Sequence, residues 1–391
     1  MIALRRTAAA TALLALVLPL SVATPGSAFA AAPAPAATAA RATMDQPAVL
    51  PQPTGPHAVG RSVLHLVDTR RQDPWVPTAG PRQLMVSVYY PAQPGSGTPA
   101  PYMTIEEARD LLDGWSPQAA AYPAGPVAAT VTWARTDARP EPGPYPLVLL
   151  SPGNGFTRAT LTGLAEDLAS RGYVVAAVDH TYDTFGTTFP DGRTLTCQVC
   201  ATLPSGGPAE VVRDRAADLS FVIDRLTGPH PAWDHADLID RQRIGVAGHS
   251  IGGDTAAGTM AGDPRVRAGV NMDGTFFDPM PHDGLNGRPF LMLGAQADEQ
   301  PGMDKSWTKA WKRLDGWKRW LTVAGAGHDS FTDLPMLAAA GGVHFPGPSW
   351  QRSEQLTRTY VAAFFDLQLK GIPQPLLDGP SADYPEVAFQ P

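Results

Sequence analysis

The sequence predicts an α/β protein built on a doubly wound, mostly parallel sheet with helices on both faces. Short, continuous apolar runs have the pattern of buried parallel strands, and segments with helical spacing alternate with them along the chain. The 391 residues are 43% hydrophobic, which is enough for a sizeable core. Strands that alternate with helices in this way pack as a sheet covered by helices.

The strands are predicted from two kinds of apolar pattern. Residues 82–92 alternate apolar and polar side chains, which is typical of a half-exposed antiparallel strand. The remaining strands are continuous apolar runs of the buried parallel type. They lie at 145–153, 173–180, 243–248, 266–274, 288–296 and 318–327.

Helical spacing recurs between these strands, and one region interrupts the alternation. Helices are predicted at 160–172, 214–226, 307–314 and 353–369. Residues 99–144 hold one helical stretch and then a run rich in proline and glycine, so we expect an insertion at one edge of the sheet. Composition leaves two roles open for this insertion, a surface loop or a wall of the substrate pocket.

The N-terminus has the features of a secretory signal peptide. Arg5 and Arg6 supply positive charge, residues 11–20 form a short apolar stretch, and residues 28–30 fit a small-residue cleavage site. The apolar stretch is shorter than the about 20 residues that span a bilayer. We expect export by the general secretory route rather than the twin-arginine route. The predicted regions of this secreted, extracellular protein are a signal peptide at 1–30, an Ala/Pro-rich linker at 31–52 and a single domain at 53–391.

Charge and cysteine content argue against nucleic acid and zinc as binding partners. The formal net charge of −7, without a basic run beyond the first residues, argues against nucleic-acid binding. Cys197 and Cys200 lack the second pair of ligands that a zinc site requires. In a secreted chain they favour a short-range disulfide, with free thiols as the alternative. We expect neither a metal nor a cofactor.

A serine nucleophile is predicted where a strand passes into a helix. Ser250 lies in the sequence Gly248-His249-Ser250-Ile251-Gly252, directly after the apolar run 243–248 and before an alanine-rich run. A nucleophile at the carboxyl edge of a parallel sheet occupies a tight turn, where only small residues two positions away avoid a clash. An ordinary glycine-rich turn is the alternative interpretation.

Such a serine needs a histidine base that an acid orients, and in this arrangement the acid and then the histidine follow the serine along the chain. Of the nine histidines, only His328 lies on a short glycine-rich loop after the last predicted strand. Asp273 and Asp298 end adjacent strands and are both candidates for the acid. Asp273 is favoured because its strand is mostly apolar and Gly274 follows it, whereas Asp298 opens a charged stretch.

Attack on a carbonyl creates an oxyanion, which backbone N–H groups can bind. The residue after the nucleophile, Ile251, would supply one of them. The second would come from the loop after the strand 145–153, where Gly153 and Gly155 allow the chain to turn and Asn154 lies between them.

Five stretches of the sequence, in this order along the chain, resemble the platelet-activating-factor acetylhydrolase family. They are 145–158, 164–180, 248–253, 271–274 and 323–333. The resemblance implies an α/β-hydrolase fold and a serine esterase that removes short acyl chains from phospholipid-like esters without metal or calcium. It also implies Asp273 as the acid. The sequence departs from the family at Pro152, where the family usually has histidine.

The resulting hypothesis is a secreted serine esterase with a catalytic triad of Ser250, His328 and Asp273, which acts on a small-molecule or lipid ester. Transient contact with a lipid or polymer surface is compatible with it. Two alternatives stay open. The first is a lipase or cutinase-like polyester hydrolase with Asp298 as the acid, and the second is a non-catalytic binding protein of the same fold.

Overall fold

The computed structural model describes residues 46–343, 345 and 347–391, and these residues belong to one compact unit. The predicted signal peptide and residues 31–45 of the predicted linker lie outside the described residues. Among the described helices, none combines the length and the apolar character needed to cross a membrane.

An eleven-stranded sheet runs through the centre of this unit. In chain order the strands are β1 (Ala58–Gln72), β2 (Pro81–Ala92), β3 (Thr98–Pro99), β4 (Arg135–Thr136), β5 (Tyr145–Ser151), β6 (Val174–His180), β7 (Gly186–Thr188), β8 (Thr194–Thr196), β9 (Ile239–His249), β10 (Val266–Met272), β11 (Phe290–Ala295), β12 (Lys318–Val323) and β13 (Val387–Phe389). The order across the sheet is β13-β12-β11-β10-β9-β5-β6-β2-β1-β4-β3, while β7 and β8 form a separate hairpin. Strands β12, β11, β10, β9, β5 and β6 are parallel to one another, so their carboxyl ends meet at one edge.

Helices cover both faces of the sheet. They are α1 (Ile105–Trp115), α2 (Ala124–Ala128), α3 (Thr162–Ser170), α4 (Gly207–Thr227), α5 (Ile251–Gly262), α6 (Gln296–Glu299), α7 (Lys305–Arg313), α8 (Leu334–Ala340) and α9 (Trp350–Lys370). Successive side chains of a strand point to opposite faces. Leu147 and Leu149 of β5 accordingly pack in the core under α4, α5 and α7, whereas Val148 and Leu150 pack in the core under α3 and α9. The predicted fold class is confirmed.

Strand β2 was predicted to be half-exposed, and this was wrong. The strand is almost wholly buried because β1 and β6 pair with its two edges and helices cover its faces. Two of its polar residues, Arg82 and Ser87, bind other side chains instead of water. Arg82 donates to Asp73 and Asp218, and Ser87 accepts from Arg158. Alternating polarity here reflects hydrogen bonds and ion pairs to other parts of the protein.

The end of the predicted linker packs onto the predicted insertion. Leu50 is buried, its N–H donates to the Val131 carbonyl at 3.0 Å, and Val131 N–H donates to the Ala48 carbonyl at 2.8 Å. In the insertion, Leu111 of α1 packs with Leu337 of α8 in the same apolar cluster. The segment from Ala48 onward is therefore part of the folded unit, contrary to the assignment of 31–52 to a linker.

Candidate active site

Ser250 stands at the tip of the turn between β9 and α5. Its backbone has φ 56° and ψ −129°, a region that residues with a side chain rarely adopt. A Cβ atom on Gly248 would come within 2.0 Å of the Gly252 carbonyl, and one on Gly252 within 2.1 Å of the Ser151 carbonyl. The turn therefore forms only with glycine at both positions. The half-buried Ser250 side chain lies at the carboxyl edge of the sheet.

His328 connects Ser250 to Asp273. Ser250 Oγ lies 2.9 Å from His328 Nε2, and His328 Nδ1 lies 2.6 Å from Asp273 Oδ2. An ionised Asp273 can only accept, so Nδ1 carries the proton and Nε2 is free to accept from the serine hydroxyl. Asp273 is buried, whereas the His328 side chain is 48% exposed. The structure thus brings these three predicted residues together, with the base open to solvent and the acid shielded.

The charge of Asp273 acts directly on His328. Burial disfavours the imidazolium, but the hydrogen bond and the charge of Asp273, together with the charge of Asp329, outweigh this. The pKa of His328 is therefore raised above its ordinary value. Asp273 is itself held in place by the Ala295 N–H, which donates to its Oδ1 at 2.6 Å.

The alternative acid lies elsewhere. Asp298 is exposed on the short helix α6 and makes no hydrogen bond to His328 within the described part of the chain. Its neighbour Glu299 is buried, and burial with the nearby charges of Asp273, Asp304 and Asp298 raises the pKa of Glu299 to about 9. The sequence separates Asp273 from Asp298 only by local context, and the geometry joins Asp273 to the histidine.

The predicted oxyanion donors flank the serine. A Cβ atom on Gly153 would lie 3.4 Å from Ser250 Cβ, so the loop that carries Asn154 runs beside the nucleophile. Ile251 is the first residue of the twelve-residue helix α5, whose N-terminus carries partial positive charge. Neither the Asn154 nor the Ile251 N–H donates to a protein acceptor in the described residues.

Several residues around the site had no role in the sequence predictions. His249 Nε2 donates to the His328 carbonyl at 2.8 Å and so fixes the loop that carries the base. Burial, followed by the nearby charge of His328, lowers the pKa of His249 to about 3, so it stays neutral. Its position inside the glycine-serine motif was the only sequence signal.

Three aromatic side chains, Trp115, Phe156 and Phe185, form an aromatic row beside the loops of the site. Trp115 at the end of α1 donates from Nε1 to Asp329 Oδ2 at 3.3 Å, directly beside His328. Phe156 and Phe185 pack edge to face at 5.8 Å between ring centres, and Phe185 contacts the glycine that precedes Trp115. The insertion therefore reaches the site, which favours the second of the two roles left open for it.

The two cysteines lie on the other side of the nucleophile. Cys197 and Cys200 form a disulfide, and the intervening Val199 packs with Ile251 in a small apolar cluster. Among the residues that the structure describes, no group of three or more histidine, cysteine, aspartate or glutamate side chains is arranged to hold a metal ion.

Known proteins are similar to this chain in both sequence and fold. The chain matches the family described as platelet-activating factor acetylhydrolase, isoform II, over residues 42–190 and 231–341. It is 32% identical over 381 residues to the probable 1-alkyl-2-acetylglycerophosphocholine esterase of Arthroderma benhamiae. This alignment covers 87% of this chain and 93% of that protein. The platelet-activating factor acetylhydrolase of Bos taurus is 27% identical over 218 residues, or 49% of this chain and 48% of that protein.

A solved structure covers almost the same region. The ferulic acid esterase from Streptomyces cinnamoneus superposes with a TM-score of 0.78 at 46% identity, over 88% of this chain and 99% of that one. The family match extends over more than half of the chain, and the fold is that of an esterase. The chain therefore belongs to the platelet-activating factor acetylhydrolase, isoform II, family, and it is a carboxylic ester hydrolase with an α/β-hydrolase fold.

Proposed function

We propose that this esterase is a secreted serine hydrolase that removes short acyl groups through Ser250, His328 and Asp273. One observation carries the proposal. A half-buried serine on a strained turn is hydrogen-bonded to a histidine, which is hydrogen-bonded to a buried aspartate. This is the arrangement that activates a hydroxyl for attack on a carbonyl.

The mechanism follows from the geometry. Ser250 Oγ attacks the ester carbonyl carbon while His328 Nε2 takes the hydroxyl proton. The resulting oxyanion accepts from the Asn154 and Ile251 amides. His328 returns the proton to the leaving alcohol, and the acyl group stays on Ser250. A water molecule, deprotonated by the same nitrogen, then attacks the acyl carbon. The bond to Ser250 Oγ breaks, the acid leaves, and His328 returns the proton to Ser250 Oγ. Asp273 keeps the histidine tautomer fixed and stabilises the imidazolium in both halves.

Two classes of ester are candidate substrates for the site. The family and the fungal relative favour a short acyl group on a phospholipid-like ester. The aromatic row of Trp115, Phe156 and Phe185 and the likeness to a ferulic acid esterase favour a second candidate, an ester of a hydroxycinnamic acid. An aromatic acyl group would gain stacking contacts with these rings, which an acetyl group is too small to make.

A substrate profile separates these candidates. We would measure kcat/KM for p-nitrophenyl acetate and octanoate, a 1-alkyl-2-acetyl phosphocholine, methyl ferulate and a soluble polyester, with Ser250→Ala as the blank for each. Preference for the acetyl esters would support the short-acyl proposal. Preference for methyl ferulate, lost selectively in Trp115→Ala, would replace it with the second candidate. Preference for the polyester would point to a cutinase-like activity and contradict both.

Secretion is the remaining part of the proposal, and the N-terminal sequence supports it. The expected observation is mature protein in the culture medium of a secreting bacterial host, with an N-terminus near residue 31. An intact N-terminus on protein that stays inside the cells would contradict it.

A further inference from the structure

A buried arginine lies beneath the loop that carries Asn154. Arg215 is on α4 and is fully buried. Its Nη1 donates to the carbonyl oxygen of Pro152 at 2.6 Å, and its Nη2 donates to that of Gly153 at 3.4 Å. Two consecutive carbonyl groups before Asn154 therefore face the guanidinium.

Asp183 holds both this arginine and the other end of the loop. Arg215 donates to both carboxylate oxygens of Asp183, with 2.8 Å from Nη2 to Oδ1. The backbone carbonyl of Asp183 accepts from Gly155 N–H at 3.1 Å, and the Gly155 carbonyl accepts from Phe185 N–H at 2.6 Å. The loop is thus fixed on both sides of Asn154.

The planarity of the peptide bond carries this constraint to the active site. The Gly153 carbonyl and the Asn154 N–H belong to the same peptide group, and in a trans peptide they point in opposite directions. The Gly153 carbonyl accepts from Arg215 and, at 3.1 Å, from Phe156 N–H. Holding this oxygen on the side of α4 therefore turns the Asn154 N–H away from α4.

We propose that Arg215 is a positioning residue that orients the Asn154 amide for the oxyanion. The inference rests on the proposed function, in which this amide binds the negatively charged oxygen formed on attack by Ser250. Arg215 contacts neither the substrate nor Ser250. It acts through the Pro152 and Gly153 carbonyls, and Asp183 balances its charge so that the cation is not buried alone.

The chemistry of arginine suits this role better than that of lysine. A guanidinium has five N–H donors in a fixed plane, so it can serve two carbonyls and one carboxylate together. A lysine ammonium at the same place keeps the charge but has one nitrogen, which cannot span these acceptors. Arg215→Lys therefore removes the orientation of the loop while preserving the ion pair with Asp183.

The test compares Arg215→Lys with a matched control, Arg358→Lys. Arg358 is also buried, also pairs with carboxylates, and also donates to two loop carbonyls, those of Pro51 and Gln52. That loop is outside the site. For both variants we would measure thermal unfolding, kcat and KM on p-nitrophenyl acetate, and the inhibition constant of a trifluoromethyl ketone. Ser250 adds to the ketone carbonyl, which gives a stable oxyanion in place of the reaction intermediate.

We expect Arg215→Lys to lower kcat by about 10- to 100-fold, less than or equal to the loss of a whole oxyanion donor. KM should change by less than about threefold, and the ketone should bind more weakly by about the same factor as kcat falls, because both report on the oxyanion. Arg358→Lys should lose thermal stability with little change in kcat or in ketone affinity.

Folded Arg215→Lys enzyme with kcat and ketone affinity within about twofold of wild type would overturn the inference, as would equal losses in both variants. If Arg215→Lys does not fold, Asp183→Asn takes its place, and parallel losses in kcat and ketone affinity support the role while unchanged values overturn it. Failure of the proposed function looks different, since Ser250→Ala would then keep its activity whatever the Arg215 variants do.

Discussion

Two chains of serine, histidine and aspartate run through this molecule with nearly the same hydrogen-bond geometry. In the first, Ser250 binds His328, which binds Asp273. In the second, Ser151 Oγ lies 2.9 Å from His180 Nε2, and His180 Nδ1 lies 2.9 Å from Asp218 Oδ2. We call them the open relay and the buried relay. Distances alone do not distinguish them.

The two relays differ first in how accessible their side chains are to solvent. All three side chains of the buried relay are fully buried, whereas the His328 side chain of the open relay is 48% exposed. Beside the serine of the open relay lie the Asn154 and Ile251 amides, which donate to no acceptor in the described part of the chain. No ester can reach Ser151, so its hydroxyl serves only as a hydrogen-bond partner for His180.

The two relays differ next in the charges around their histidines. Burial and then the nearby Arg215 charge lower the pKa of His180 to about 4, although Asp218 acts in the opposite direction. Arg82 and Arg71 also bind Asp218, so its negative charge is shared between cations. Asp273 has no such cation partner among the described residues, and the pKa of His328 is raised. The open relay thus combines an exposed histidine with an acid whose charge helps to raise the pKa of that histidine, whereas in the buried relay the histidine is buried and its pKa is lowered.

The largest expected contrast concerns the two serines. Ser250→Ala should remain folded and lose about 10⁴-fold or more in kcat, because no nucleophile replaces the hydroxyl. Ser151→Ala should keep kcat within about tenfold but lose roughly 1–3 kcal/mol of unfolding free energy, because His180 Nε2 is left buried without a partner. Steady-state kinetics and denaturant unfolding of both variants measure this. Comparable kinetic losses in the two would erase the distinction between the relays.

The two candidate acids give the next largest effect. Asp273→Asn should lower kcat by about 10³- to 10⁴-fold, because an amide favours the wrong histidine tautomer. Asp298→Asn is the control at the neighbouring strand end and should change kcat by less than about tenfold. Assays of both on one small ester decide the matter. The reverse pattern would assign the acid to Asp298 and favour the polyester hydrolase.

The pH dependence of activity should follow His328 alone. The base must be neutral, and its pKa is raised, so kcat/KM should fall about tenfold per pH unit below a pKa higher than the ordinary 6.5. His180→Gln should leave this acidic limb in place. A limb that moves or disappears in folded His180→Gln would show that the buried relay takes part in the reaction.

The contribution of His180 to the pH dependence of stability can be isolated by comparing wild type with His180→Gln. An unfolded histidine binds a proton near pH 6.5, whereas folded His180 does so only near 4. The unfolded state therefore binds more protons between these values, and the contribution of His180 to stability falls as pH drops through that window. The difference in unfolding free energy between wild type and His180→Gln should change between about pH 4 and 6.5 and be constant above it. A constant difference over the whole range would contradict the low pKa.

The smallest effect is expected from the disulfide, whose loop packs on Ile251 through Val199. The double variant Cys197→Ser with Cys200→Ser should lose about 2 kcal/mol of unfolding free energy, given the short loop that the bond closes. Its kcat should change by less than about fivefold, because Val199 still packs on Ile251. A loss above 100-fold in folded protein would give the disulfide a part in positioning the Ile251 amide.

Much of the fold could be predicted from the sequence because the buried parallel strands are strongly apolar. The alternation of such runs with helices was sufficient to predict strands β5, β6 and β9 to β12 of the sheet. Strand β1 was missed, since its outer residues include exposed Val63 and Val67 and several charged side chains. The burial of β2 was missed for a related reason, because sequence alone does not show that Arg82 pairs with Asp218, which lies 136 residues further along the chain.

The site was partly predictable because the serine, the acid and the histidine of such a triad follow a fixed order along the chain. The rule that acid and histidine follow the serine pointed to His328 and set aside His180, which precedes Ser250 and belongs to the buried relay. Local context favoured Asp273, and the structure joins it to His328. The sequence could not reveal Trp115 or Arg215, because their contacts join segments separated by 214 and 63 residues. Such contacts arise only when the chain is folded.

Labelling with a fluorophosphonate shows whether the nucleophile is Ser250 of the open relay or Ser151 of the buried relay. Attack by a serine oxygen forms the oxygen–phosphorus bond and expels fluoride, and the histidine takes the proton. Trypsin would then place Ser250 in the peptide 244–265 and Ser151 in the peptide 136–158, so mass spectrometry can assign the label. We predict complete loss of activity with the added mass on 244–265 only. A label on 136–158, or inactivation without a label on 244–265, would show that Ser250 is not the sole nucleophile.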